Sequence, residues 1–392
     1  MIEKNKICIL TPRFPFPENG GDVLRINSIA RYLKTKGYEL ILVSFCDGDI
    51  CLKKPYFELY DTIYLVKRKK IVSFFMSLAF LLSGKPIQCG YYFSLKFLKE
   101  LRRIIKIESP NFYISHLLRM TPYLEIIKQQ NNSIIEMTDA LSKTYALSSN
   151  AKGNYKKKVI YNIEYALIRR YEKKVIKSFK KVVLVSENDI KYLNEICENT
   201  NSLRIYTNGV NCLQTKPSDY NKNKICFVGN MRTLQNQDAV LHFVNDIFPI
   251  IKKSIPEALF TIIGAEPPEQ IKSLGNNKDI VVTGFVDDIQ AAVSDCCLAV
   301  APVRVAAGIQ NKVLLAMGCG TPVVMTSLIS KAIPELIDNE NSFIKDNDEE
   351  FAKTCILLMK DVKLRNQISQ NGYSLVIKHY SWNEKLAGYE NI

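Results

Sequence analysis

The segment KICILTPR at residues 6–13 has a counterpart in KICFVGNM at residues 224–231. Each is a short apolar run that ends in a loop containing Pro or Gly, and each is followed by a stretch with helical spacing. A chain that opens its two halves in the same way is constrained to two α/β units rather than one large core. A length of 392 residues suits two domains of ordinary size, and 47% apolar residues can fill both cores.

In the first half, strands are expected at 6–12, 39–45, 61–66, 112–115, 133–137, 181–185 and 204–206. Asp22 is placed to cap a helix in which Val23, Ile26, Ile29, Ala30 and Leu33 recur at helical spacing until Gly37. A long basic helix is expected at 156–179. In the second half, strands at 224–231, 258–264, 280–285, 298–303 and 322–326 alternate with helices near 236–253, 267–274, 287–295 and 310–318. Such alternation predicts an α/β fold of two doubly wound, Rossmann-like domains. Their parallel sheets would be covered by helices on both faces, with ligands at the carboxyl ends of the strands in a central cleft that both domains face. The expected boundaries are 1–205 and 206–377, with a tail helix at 378–392 returning to the first domain.

Charge divides the chain unevenly. Residues 1–205 hold 35 Lys and Arg against 19 Asp and Glu, a net of +16. The remainder holds 18 against 20, a net of −2. A basic first half implies an anionic partner. The helical runs 96–106 and 156–181 lack the interleaved aromatic residues of a stacking platform, so nucleic acid is not expected. The apolar run 71–84 is too short to span a bilayer and follows Lys67-Arg68-Lys69-Lys70, the pattern of an interfacial segment on an anionic membrane surface. Eleven cysteines without a CxxC pair read as buried thiols, and the first residues lack a secretion-signal layout. A cytoplasmic protein, peripheral on the inner face of the membrane, is expected.

The run Gly308-Ile309-Gln310-Asn311-Lys312 follows an apolar strand ending near Arg304. A strand, a glycine turn and a helix start form an anion site, because free backbone N–H groups and the positive end of the helix dipole point outward there. Arg304 and Lys312 flank the turn, and a diphosphate is the matching ligand. Gly229-Asn230 and Gly264 end strands on the same side of the sheet and are candidates for backbone contact with a nucleotide. His116 follows the strand at 112–115, where a strand end faces the ligand. Asp139 follows the strand at 133–137.

These pieces, taken in order, resemble a known family. Asn19-Gly20-Gly21, His116-Leu-Leu-Arg119, Thr138-Asp139, Arg170-Tyr-Glu172, Ser186-Glu-Asn-Asp189, Thr207-Asn-Gly-Val210, Phe227-Val-Gly-Asn-Met231, Gly264-Ala, Thr283-Gly-Phe285-Val-Asp287 and the run at 308–312 are similar to motifs of the family-four retaining glycosyltransferases of GT-B fold, in the branch associated with bacterial exopolysaccharides. The resemblance implies a nucleotide-diphosphate sugar as donor, a glycan or lipid-linked acceptor, retention at the anomeric carbon, and no metal or other required cofactor. It places Gly20, Gly21, His116 and Asp139 at the reaction centre. It places Gly229, Asn230, Arg232, Gly264, Phe285, Arg304, Gly308, Ile309, Gln310, Asn311, Lys312 and Glu335 around the donor. This chain has Ala307 and Leu315 where the family carries two glutamates, and Asn230 and Asn236 where it carries Arg and Lys. Two other activities fit the same fold. One is a nucleotide-sugar-binding partner without catalysis, and the other is a nucleotide-sugar 2-epimerase.

Overall fold

The computed structural model describes residues 5–18, 21–150, 155–213, 220–304 and 310–390, apart from the side chains of 147–150 and 155–158. The chain divides into two compact units. One is Met1–Asn208 with Lys385–Ile392, and the other is Gly209–Glu384.

In the first unit β1 (Lys6–Thr11), β2 (Glu39–Cys46), β3 (Thr62–Lys67), β4 (Phe112–His116), β5 (Ser133–Thr138), β6 (Lys181–Leu184) and β7 (Leu203–Ile205) form one sheet of order β3-β2-β1-β4-β5-β6-β7. Every pairing is parallel. β1 has neighbours on both sides and helices over both faces. Ile7, Cys8, Ile9 and Leu10 are therefore all fully buried, and the strand is a continuous apolar run rather than an alternating one. The strand order reverses between β1 and β4, the position where open α/β sheets bind ligands.

The second unit repeats the plan. β8 (Asn221–Val228), β9 (Leu259–Ile263), β10 (Ile280–Gly284), β11 (Cys296–Ala301), β12 (Val323–Met325) and β13 (Phe343–Ile344) are parallel in the order β10-β9-β8-β11-β12-β13. The reversal falls between β8 and β11. A single apolar core runs through this unit, with Phe227, Phe243, Phe260 and Phe351 among its fully buried rings.

Three local differences from the expected elements have physical causes. The helix expected near 236–253 is Leu234–His242, a π-helical turn Phe243–Ile247, and Phe248–Ser254. Pro249 supplies no backbone N–H, and the wider turn accommodates the missing bond. The helix expected near 267–274 keeps only Glu269–Lys272 before tightening to a 3-10 turn at Ser273–Asn276. β13 is two residues long, too short to carry a period. The long helix Val362–Tyr380 and the turn Trp382–Lys385 end the second unit. The first unit takes the chain back at Lys385, and the buried Tyr389 hydroxyl donates to Glu136. All eleven cysteines are free thiols.

Candidate functional site

In the second unit, the carboxyl ends of β8, β9 and β10 are tied edge to edge. Gly229 N–H donates to Ile263 O at 3.0 Å and Gly264 N–H to Gly284 O at 3.1 Å. The approach is so close that a Cβ built on Gly264 would lie 1.8 Å from Gly229 O, and Gly264 also holds φ +154°. A Cβ on Gly229 would meet Asn236 Nδ2 at 2.6 Å. Glycine is required at Gly264 by backbone contact and by its φ, whereas a Cβ on Gly229 would displace the Asn236 side-chain amide.

Asn236, buried near the start of the Leu234–His242 helix, joins the loop after β8 to the helix Asn311–Gly318. Its Nδ2 donates to Asn230 O at 2.8 Å, and its Oδ1 accepts from Lys312 Nζ. Asn230 Oδ1 accepts from Arg232 N–H at 2.9 Å and fixes the loop. Five residues from distant parts of the sequence, Gly229, Asn230, Asn236, Gly264 and Lys312, thus converge on one corner of the sheet. Lys312 Nζ lies 4.7 Å from the centre of the Phe227 ring. Burial pushes its pKa down to about 8.

The other candidates in this unit are placed as follows. Gln310 is buried at the N-cap position without capping through its side chain, and Asn311 is the exposed first residue of the helix. Leu315 is half-buried against the core and offers no hydrogen-bond acceptor. The Arg304 guanidinium is engaged by Asp238, with Nε donating to Oδ2 at 3.1 Å, on an exposed part of the surface. Arg232 pairs with Glu266 at 2.5 Å, also exposed. Phe285 projects into solvent. Glu335 accepts from the Tyr380 hydroxyl at 2.5 Å. Ala307, Gly308 and Ile309, and Gly20 of the first unit, lie outside the described residues. Among the described residues one group could hold a metal ion: His242, Asp246 and Asp348, with ligand atoms within 4.8 Å of one another. His242 Nε2 is already 2.9 Å from Asp348 Oδ1.

In the first unit, His116 ends β4 beside the reversal point. It is 2% exposed, and neither ring nitrogen has a hydrogen-bond partner among the described residues. Burial lowers its pKa to about 3. The Asp22 carboxylate works against that shift, and Arg25, Arg119 and Arg13 add to it. The imidazole is therefore neutral near pH 7, able to donate and accept but not to supply charge. Asp22 stands in the first turn of the helix Gly21–Thr35 and is paired with Arg13. A Cβ built on Gly21 would meet nothing within 4 Å, so packing does not demand glycine there. Asp139 follows β5 with its side chain reaching solvent. Partial desolvation, and then the Asp189 carboxylate, raise its pKa.

Two buried carboxylates received no role in the sequence analysis: Glu136, which it did not name, and Glu172, which it named only within the motif Arg170-Tyr-Glu172. Arg25 and Glu136, both fully buried, form an ion pair at 2.7 Å, and Arg25 also donates to Asn208 Oδ1 at 3.0 Å. Glu172 accepts from Ser142 N–H at 3.2 Å and from Ser142 Oγ at 2.5 Å, and burial pushes its pKa up to about 7. The available signal was a Glu inside an apolar strand, IIEM, and a Glu in the middle of a helix. Neither pattern names a partner.

Two parallel, doubly wound sheets, each with its polar corner at the carboxyl ends of the strands, define a glycosyltransferase-type fold of the GT-B class. Within the second unit, residues 222–361 match the model of the glycosyl transferases group 1 family. Over 391 residues the chain is 22% identical to an uncharacterized 44.6 kDa protein in the cps region of Klebsiella pneumoniae, covering 96% of each. The fold is similar to that of Anabaena Alr3699/HepE, crystallised with UDP and glucose, at a TM-score of 0.60, 14% identity and coverage of 98% and 99%. It is also similar to WaaG, a glycosyltransferase involved in lipopolysaccharide biosynthesis, at a TM-score of 0.57, 14% identity and the same coverage. No helix among the described residues is long and apolar enough to cross a membrane.

Proposed function

We propose that this protein is a retaining glycosyltransferase of cell-surface polysaccharide synthesis. Its second unit would bind a nucleotide-diphosphate sugar, and its first would receive a glycan or lipid-linked acceptor on the cytoplasmic side of the membrane. The observation that carries this reading is Lys312, a half-buried cation beside the start of a helix. It is held by Asn236 among Gly229, Asn230 and Gly264, and it makes no ion pair with any described residue. The nature of the relatives agrees with it: one is encoded in a cps region, one was crystallised with UDP and glucose, and one acts in lipopolysaccharide biosynthesis.

In this reading the diphosphate lies against Lys312 and the helix start. The acceptor hydroxyl oxygen forms the new bond to the anomeric carbon from the face that the leaving group departs. The bond from that carbon to the diphosphate oxygen breaks, and the leaving diphosphate takes the hydroxyl proton. Lys312 and the backbone N–H groups stabilise the charge that develops on the leaving oxygen. One preorganised donor of this kind is worth about 3 kcal/mol in the transition state. His116, neutral and unpartnered, offers a hydrogen bond to the sugar rather than a charge.

The test is a panel of nucleotide-diphosphate sugars given to the purified, folded protein, with product analysis in the presence and absence of acceptor. Binding with acceptor-dependent release of nucleoside diphosphate supports the reading, and an α-configured donor must give an α-configured product. Absence of binding to every donor overturns it. Binding without turnover would instead identify a sugar-nucleotide-binding partner protein, a reading favoured by the apolar Leu315. Conversion of the donor without acceptor would identify an epimerase.

A further inference from the structure

The helix Lys70–Leu82 is inside out. Its residues buried in the first unit are Ser73, Ser77 and Phe80, whereas Ile71, Phe74, Phe75, Leu78 and Leu82 stand exposed at 74%, 67%, 62%, 46% and 81%. Spacings of three, one, three and four place those five side chains along one stripe. The serines face inward because the next helix, Ile87–Tyr91, presses against that side. A Cβ on Gly90 would lie 2.6 Å from Met76 O and 2.7 Å from Ser77 Cα, so only small side chains fit the contact. Ser77 Oγ meets its own need by donating to Ser73 O at 2.9 Å. The large apolar residues are therefore turned outward by a specific packing arrangement, away from a core that could have held them.

The surroundings of the stripe select its partner. Lys67, Arg68, Lys69 and Lys70 lead into the helix, and its first turn contains no acidic residue. Cations at a helix N-terminus stand at the wrong end of the dipole. Lys67 and Arg68 are paired with Asp49 and Asp47, but Lys69 and Lys70 make no ion pair with any described residue. A cavity of about 230 Å³ opens at the same end, with Lys67, Arg68, Lys69 and Lys96 among its lining residues beside the apolar Val72 and Leu95. An anionic layer would compensate the lysines and the helix end together. Thirteen residues of helix reach about 20 Å, short of a bilayer core of about 30 Å, so the helix cannot cross.

We infer that Lys70–Leu82 is an interfacial membrane anchor. It lies in the plane of an anionic lipid surface with Ile71, Phe74, Phe75, Leu78 and Leu82 immersed, and with Lys69, Lys70 and the cavity at the level of the lipid phosphates. This rests on the first unit alone and does not depend on what the second unit binds.

The full chain is sedimented with vesicles of phosphatidylcholine alone and of phosphatidylcholine and phosphatidylglycerol in equal parts. Binding is expected to the mixed vesicles and to weaken with salt. The Phe74→Glu/Phe75→Glu double variant should lose roughly tenfold or more in partitioning. Lys69→Gln/Lys70→Gln should lose roughly tenfold and show a flatter salt dependence. All these side chains are exposed, so circular dichroism and the melting temperature should match the parent and confirm that both variants fold. The inference is overturned if the parent ignores both vesicles, or if Phe74→Glu/Phe75→Glu binds as the parent does. It is equally overturned if sedimentation velocity without lipid shows a dimer that this variant dissolves, because the face would then be covered by a second copy.

Discussion

Lys312 Nζ sits 4.7 Å from the centre of the Phe227 ring and donates to Asn236 Oδ1, yet its pKa is pushed down to about 8. A ring face and an amide oxygen both favour the charged form, so the desolvation cost outweighs them. A cation kept in a half-dry corner without a carboxylate is stabilised only when an anion arrives. In the empty protein this group binds fewer protons than the unfolded chain between pH 8 and its ordinary 10.5. The penalty is thus present below about pH 8 and fades as pH rises through that window.

Lys312→Met should therefore make the empty protein more stable at neutral pH, by on the order of 2 kcal/mol, while abolishing diphosphate binding. Denaturant melts at neutral and alkaline pH, combined with calorimetric titration of a nucleoside diphosphate, read both effects. In the parent, affinity should fall as pH rises above about 8. A variant that is less stable at neutral pH, or that still binds, contradicts the role assigned to Lys312.

Arg304 and Asp238 make an exposed pair, and such pairs contribute about 1 kcal/mol or less to stability. Arg304→Ala should leave the unfolding midpoint nearly unchanged. If the guanidinium turns from Asp238 to the diphosphate, Arg304→Ala weakens nucleotide binding by about tenfold. Asp238→Asn, which removes the competing carboxylate, then tightens it. Equal affinities in all three proteins would assign Arg304 to the surface alone.

The strands were legible because both sheets are parallel and covered on each face, so the middle of β1, the end of β8 (Ile225–Val228) and β11 appear as uninterrupted apolar runs. The corner around Asn236 was only half legible. Gly229, Asn230, Gly264 and Lys312 were readable as strand ends and a helix start, since backbone geometry restricts which residues can stand there. Their linker was not, because an Asn inside a helix has no spacing rule that names Asn230 and Lys312 as its partners. Arg304 was read as a free cation from its place beside a glycine turn. Its partner Asp238 lies 66 positions away and is brought to it by the Leu234–His242 helix. The apolar run 71–84 was legible as a helix too short to span a bilayer and led in by basic residues, but which of its residues face outward depends on Gly90, outside the run.

Gly264 and Gly21 give opposite expectations for the same substitution. Gly264→Ala forces a Cβ against Gly229 O at 1.8 Å in a backbone conformation that strains any L side chain, so it should destabilise by more than about 3 kcal/mol. Gly21→Ala meets open space and should melt within about 0.5 kcal/mol of the parent. If a ligand uses that space, Gly21→Ala raises KM or lowers kcat without a stability change. Urea melts and steady-state kinetics on the two variants separate packing from function.

Arg25 and Glu136 are a fully buried ion pair of the first unit. Removing one partner strands the other charge in the core, so Glu136→Ala should cost about 3–5 kcal/mol. Arg25→Met/Glu136→Leu, which removes both charges but leaves the buried Tyr389 hydroxyl without its acceptor, should recover part of that loss. A double-mutant cycle by denaturant unfolding measures the coupling. If the double variant is no more stable than Glu136→Ala, the pair is not the source of the cost.

Glu172 sets the expected acid side of the stability profile. Burial raises its carboxyl to about 7 from an ordinary 4.5, so the folded protein binds more protons than the unfolded chain between those values. Its contribution to stability is full below about pH 4.5 and is lost as pH rises towards 7, by as much as about 3 kcal/mol. Glu172→Gln cannot ionise, and the Ser142 hydroxyl can rotate to accept from the new amide. The variant should therefore match the parent in weak acid and exceed it above neutrality. Melting temperatures recorded across this range check the crossover, and a parallel loss in both proteins would place the pH dependence on other groups.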